Sequence, residues 1–219
     1  VKRNYKRLSK RVLVNLLRAW DAATPAERHA GLTWYATAND YCNDLARRYG
    51  VTVEQAAGVV AALSPGLAWE LNVTQAEYLV EAYAHGRRGV ELPLVGVYGR
   101  SNVTKCERIL AGVDPLELLS PVTAPKTRAF YRCIVERGTG TDVVIDRHAA
   151  SAALDARGTK GGSAIEVVKP ALYRWLVWHY RVLAERVGIT PAQFQAVVWS
   201  HWRQSTPGHP VDDLTEVPF

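Results

Sequence analysis

Leu8, Val12, Leu16 and Trp20 recur at steps of four, with lysines and arginines on the other faces of the same segment. This spacing predicts a helix over residues 5–20 that has one apolar stripe and a basic remainder. Thr24-Pro25 is a start signal for a second helix running to Gly50, with Trp34, Tyr35, Tyr41, Cys42 and Leu45 available for packing. Gly31 leaves open whether that helix is continuous or broken. Thr52 and Gln55 have capping-box spacing and open a third helix, VEQAAGVVAAL, whose low charge predicts burial and which ends near Ser64-Pro65. Residues 69–85, 103–111, the segment opened by Asp114-Pro115, and residues 125–137, 167–187 and 191–203 read as further helices. Val143-Val144-Ile145 reads as buried extended chain that delivers Asp146 to a helix start. GRRGVELPLVGVYGRSN, residues 86–102, is a glycine-rich connection, and RGTKGGS, residues 157–163, a flexible break. No stretch shows the repeated alternation of an all-β protein, so the predicted fold class is all-α.

Composition narrows the setting. Hydrophobic residues make up 48% and charged residues 22% of the 219, which is the range of a globular chain and not of a mainly disordered one. No apolar run approaches the ~18–20 residues of a membrane span, and no apolar block precedes a cleavage site, so a soluble cytoplasmic protein with no membrane partner is expected. Cys42, Cys106 and Cys133 lie far apart without a CxxC pair, which predicts reduced structural thiols and no metal ligand set; no cofactor is expected. A monomer is the expected state.

Charge is unevenly placed. Lys2, Arg3, Lys6, Arg7, Lys10, Arg11 and Arg18 put +7 into the first twenty residues, so the remainder of a chain with net charge +6 is close to neutral. Such a segment suits a nucleic-acid backbone or a solvated helix face.

The region with most chemistry is PVTAPKTRAFYRCIVERGTGTDVVIDRHAA, residues 121–150. A Pro-containing tight turn leads into a helix at Pro125-Lys126-Thr127, and another helix begins at Asp146. Two helix N-termini close in sequence concentrate unpaired N–H groups that suit a phosphate or other anion. Ser120-Pro121-Val122-Thr123-Ala124-Pro125-Lys126-Thr127-Arg128, followed by Ile145-Asp146-Arg147-His148, resembles the Leu-Pro-Gly-Val-Gly-x-Lys-Thr-Ala hairpin and later Val-Asp-Thr-His of the helix-hairpin-helix DNA glycosylase superfamily, the endonuclease III-like group. VVAALSPGLAWELNV, residues 59–73, is similar to that family's Leu-Leu-Ser-Ala-Gln segment, and YGRSNVTKCERIL, residues 98–110, to its Tyr-Asn-x-Lys-Ala helix. The four segments cover about residues 55–150 in the family's order.

The resemblance implies a two-lobed helical fold with a cleft between the lobes: residues 31–141 as the inner lobe with the hairpin, and residues 1–30 with 142–219 as the second lobe, carrying Asp146. It implies DNA as partner, double- or single-stranded, and cleavage of the N-glycosidic bond of a modified or unusual base. Asp146 aligns with the catalytic aspartate and Lys126 with the lysine that attacks the sugar C1′ in bifunctional members. A fixed carboxylate stabilises an oxocarbenium-like transition state, and a lysine amine can form a Schiff base. Trp69 and Asn72, three apart on one helix face, are candidates for holding a flipped base, with His148 beside Asp146. Thr123, Ala124, Pro125, Thr127 and Arg128 of the turn and helix start, together with Lys105 and Arg147, are candidate DNA contacts.

The chain also departs from the pattern. Val122 and Ala124 replace both hairpin glycines, Gly66 stands where many members have a glutamine, and the four-cysteine cluster is absent. ALSPGLAWELN, VIDRHA and TPAQFQAVVWSHWR are similar to bacteriophage-borne relatives that include enzymes of thymine hypermodification. An amino acid or amine:DNA transferase is therefore the second expectation. A non-catalytic DNA-binding protein on a degenerate glycosylase scaffold is the third.

Overall fold

The computed structural model describes residues 2–90, 99–156 and 168–205. Among these residues it is all-α: α1 (Lys2–Ala22), α2 (Pro25–Tyr49), α3 (Val53–Leu63), α4 (Trp69–Ala84), α5 (Gly99–Leu110), α6 (Pro115–Leu118), α7 (Pro125–Val135), α8 (Arg147–Leu154), α9 (Pro170–Val187) and α10 (Pro191–Gln204). The chain divides into one unit of residues 1–35 with 138–219 and a second of residues 36–137, the first boundary falling inside α2.

In the first unit the apolar stripe of α1 is buried in its middle while Leu8 is exposed: Val12, Leu16 and Ala19 pack with the alanines of α8, with Leu176, Tyr180 and Leu183 of α9, and with Phe194, Val198 and Trp202 of α10. Trp20 stacks on Phe194 at 5.3 Å between ring centroids. α2 runs unbroken through Gly31. A Cβ built on Gly31 would lie 2.5 Å from the Cα and N of Val197, so this glycine permits close approach of α2 and α10 and does not break the helix. Val143, Val144 and Ile145 are buried, as their composition predicts, lie outside any helix and lead to Asp146.

In the second unit α3 is the centre. Ala56 to Leu63 are all buried, and α4, α5 and α7 pack around them. Thr52 and Gln55 form the capping box that their spacing predicts, and Gln55 Nε2 also donates to the carbonyls of Ile109 and Leu110 at the end of α5. Ser64-Pro65-Gly66-Leu67 is a tight turn closed by Leu67 N donating to Ser64 O, with Gly66 at φ +82°. That is the third position of a type II turn, where glycine avoids the Cβ clash, so backbone geometry accounts for the Gly66 departure.

Boundaries are corrected: α7 ends at Val135, not 137, and α9 starts at Pro170, with residues 168–169 outside it. α5 starts at Gly99, not 103, so residues 99–102 of the expected connection are helical. The rest of that connection over 91–98, and the 157–163 break, lie outside the described residues. No helix among the described residues is long and apolar enough to cross a membrane. Cys42, Cys106 and Cys133 are buried and free, and burial pushes the Cys42 thiol up to about 12.

Candidate functional site

Asp146 is the N-cap of α8, in an extended conformation (φ −92°, ψ −175°). Its Oδ1 accepts from the backbone N of Ala149 at 2.8 Å, the bond that satisfies an otherwise open donor in the first helical turn. Its Oδ2 accepts from Nε1 of Trp199 on α10 at 3.1 Å. The carboxylate is half-buried and held from both sides, yet two of its roughly four lone-pair positions are not used by these bonds. Beneath it, Tyr180 is fully buried and donates to Ala149 O at 2.9 Å. Burial, and then the negative charge of Asp146, hold Tyr180 as the phenol.

Arg147 and His148 follow this carboxylate in sequence, and its indole donor Trp199 carries further contacts. His148 is buried, its ring edge-on to Trp199 at 6.5 Å, and Nε2 accepts from Arg147 Nε at 3.2 Å. Arg147 is exposed, and the guanidinium of Arg203 lies 4.7 Å over the Trp199 ring. The first unit thus brings together Asp146, Arg147 and His148 from the sequence candidates, and adds Trp199, Tyr180 and Arg203. A cavity of about 120 Å³ between α1, α8 and α10 is lined by Asn15, Arg18, Ala19, Ala22, Ala152, Asp155, His201 and Trp202, none of them a sequence candidate.

The other candidates belong to the second unit. α6, a tight turn and α7 follow one another along the chain. In the turn, Ser120 Oγ accepts from the backbone N of both Val122 and Thr123 at 3.2 Å, and Ala124 N donates to Ser120 O at 3.0 Å. No residue of this turn has a positive φ, so Val122 and Ala124 occupy the glycine positions without left-handed strain. Arg128 Nη1 donates to the carbonyls of Leu116 and Leu119, which ties α7 to the end of α6. Pro125 and Lys126 form the first turn of α7, whose N-cap residue Ala124 supplies no side-chain bond. Lys126 is half-buried, without a hydrogen-bond or ion-pair partner among the described residues, whereas Thr127 beside it is buried.

Trp69 opens α4, half-buried and edge-on to Tyr41 at 6.3 Å. Asn72 is buried. Its Nδ2 donates to Val60 O, which is open because the cap N–H of Ser64 turns to Ala61 O, three residues back, and leaves the i→i−4 ladder. The Asn72 amide therefore joins α4 to α3, while its Oδ1, also buried, has no hydrogen-bond partner among the described residues. Lys105 is half-exposed on α5.

Trp199 is the residue that sequence reading missed. It lies 53 positions from Asp146, and its spacing from Trp202 reads as a core pattern. No local signal marks it as a donor to a distant carboxylate.

These observations define an all-α protein with a doubly held carboxylate at a helix start. A family model described as a family of unknown function (DUF7178) matches residues 2–206, and the chain belongs to that family. No curated protein and no solved structure matches the chain.

Proposed function

We propose that the chain is a DNA glycosylase-like enzyme of the two-lobed helix-hairpin-helix type, acting on a modified or unusual base in the cytoplasm. The observation that carries the reading is Asp146: an aspartate immobilised by Ala149 N and Trp199 Nε1, with Arg147 next in sequence and Arg203 over the Trp199 ring. A carboxylate fixed before the reaction stabilises positive charge that develops next to it without reorganisation at the moment of reaction. In base release the C1′–N bond breaks with its electron pair on the leaving base, cationic character builds on the sugar, and water adds at C1′ through its oxygen while the proton it loses ends on the departed base. The arginines suit the flanking phosphates. The α6–turn–α7 hairpin and the half-buried Lys126 at its helix start support the same reading, with Lys126 as a second nucleophile.

The test is incubation of the protein with DNA carrying natural and modified bases, followed by mass spectrometry of the products. Asp146-dependent free base and abasic sites are expected. A new nucleoside with no abasic site would instead establish the transferase. Salt-sensitive binding with no product on any substrate, unchanged in Asp146→Asn, would establish a binding protein.

A further inference from the structure

The basic helix α1 and the exposed face of α9 lie together in the first unit, and neither contributes to the Asp146 cluster. α1 turns Val12, Leu16 and Ala19 into the core, and its opposite arc presents Lys6, Arg7, Lys10, Arg11 and Arg18, all exposed and none ion-paired among the described residues. No acidic residue occurs among residues 1–20. α9 is joined to this helix by His179, whose Nε2 lies 2.6 Å from Ser9 Oγ of α1. Next to that junction is Trp178, edge-on to the His179 ring at 4.7 Å and 52% exposed. Arg174 one turn before it and Arg181 one turn after it are also exposed. Arg181 is oriented by its Nε donating to Thr141 O at 2.9 Å.

An indole with half its surface in water, set between two guanidiniums and beside a helix of unpaired cations, has the two parts of a strand-binding surface. Cations attract the phosphate backbone, and an aromatic face stacks on a base. We infer that α1 and the Arg174–Trp178–Arg181 face of α9 bind a single-stranded nucleic acid, with one base stacked on Trp178. Duplex bases present only their edges, so an exposed indole on a helix face gains a stacking partner only where the strand is open. A membrane surface fits less well, because a helix lying on lipid turns its apolar stripe outward, whereas Val12, Leu16 and Ala19 of α1 are in the core and its outer arc is mainly cationic, with Leu8 and Val14 its exposed apolar side chains. The surface involves none of the residues proposed for catalysis.

Fluorescence anisotropy on the full chain tests this, with a labelled 20-nucleotide DNA strand, the RNA of the same sequence, the matching DNA duplex, and anionic phospholipid vesicles as competitor. The expected result is tightest binding to a single strand, with the two strands showing whether a 2′-hydroxyl matters. Trp178→Ala should weaken it roughly 5- to 150-fold, and Trp178→Phe should recover most of that. Changing Lys6, Arg7, Lys10 and Arg11 together to Gln should reduce the slope of log affinity against log salt by about 3. Circular dichroism and thermal melting verify that each variant folds, and loss in Trp178→Phe of the quenching that the strand causes in total tryptophan emission assigns the quenched indole among the seven tryptophans. Single-strand binding that folded Trp178→Ala leaves intact, equal affinity for the duplex, or displacement by vesicles would each overturn the inference. Binding is read without turnover, so its presence or absence leaves the Asp146 reading to its own test.

Discussion

Asp146 has two carboxylate oxygens, each accepting from a different donor, and this decides how its variants behave. An asparagine in its place would present one acceptor and one amide, so either Ala149 N or Trp199 Nε1 loses its partner. Asp146→Asn is expected to cost about 1–3 kcal/mol of stability, from a partly buried donor left unmade. Trp199→Phe removes the second donor and keeps the ring. Thermal or urea melting of both single variants and the double variant should therefore show a combined cost below the sum of the two single ones. Full additivity would mean that the indole does not hold the carboxylate. Gly66 is a second residue whose backbone sets its identity: with φ at +82°, Gly66→Gln should destabilise the protein by about 1–2 kcal/mol in the same assay, despite restoring the side chain that many glycosylases have there.

Two helix junctions carry predictions of their own. α1 meets α9 through a histidine whose protonation state is defined by geometry. His179 Nδ1 lies 2.8 Å from Trp175 O, a carbonyl that only accepts, so Nδ1 carries the proton and Nε2 accepts from Ser9 Oγ. Burial, partly offset by that carbonyl, lowers the His179 pKa below its ordinary value. The unfolded chain therefore takes up a proton at a higher pH than the folded one does. Stability is complete above the ordinary histidine range and falls as pH drops from there through the folded value. Melting temperature should decrease from pH 7.5 to pH 5, with a smaller decrease in His179→Gln; an equal decrease in both would assign the effect elsewhere. At the α2–α10 crossing, Gly31→Ala would push a methyl group to 2.5 Å from backbone atoms of Val197. Backbone cannot yield as a side-chain tip does, so a loss of about 1–3 kcal/mol is expected on melting. A neutral result would show that the helices separate readily.

Across the molecule, the features legible in the sequence are the local ones. Helix starts at Thr52, Asp114, Asp146 and Thr190 were readable because a cap is a contact between residues two or three apart. The buried character of α3 was readable from its lack of charge. Contacts made through space were not. Gly31 looked like a possible break because its partner, Val197, is remote in sequence. Of four tryptophans at helical spacing, Trp202 is buried, Trp175 packs partly against the core, Trp199 donates to Asp146 and Trp178 is half in solvent. What separates them is the direction each faces once α9 and α10 have docked, and that direction is a property of the packed unit. The turn before α7 does without glycine on the same basis, since Ser120 Oγ takes up the N–H groups of Val122 and Thr123 and the turn keeps to negative φ.

The central claim is that Asp146 carries base-release chemistry on DNA. The most direct measurement is mass spectrometry of products from folded wild type, Asp146→Asn and Trp199→Phe incubated with DNA containing natural and phage-type modified bases. The account predicts free base and abasic sites with wild type, loss of both in Asp146→Asn, and a reduced rate in Trp199→Phe. Base release by Asp146→Asn at the wild-type rate would contradict it.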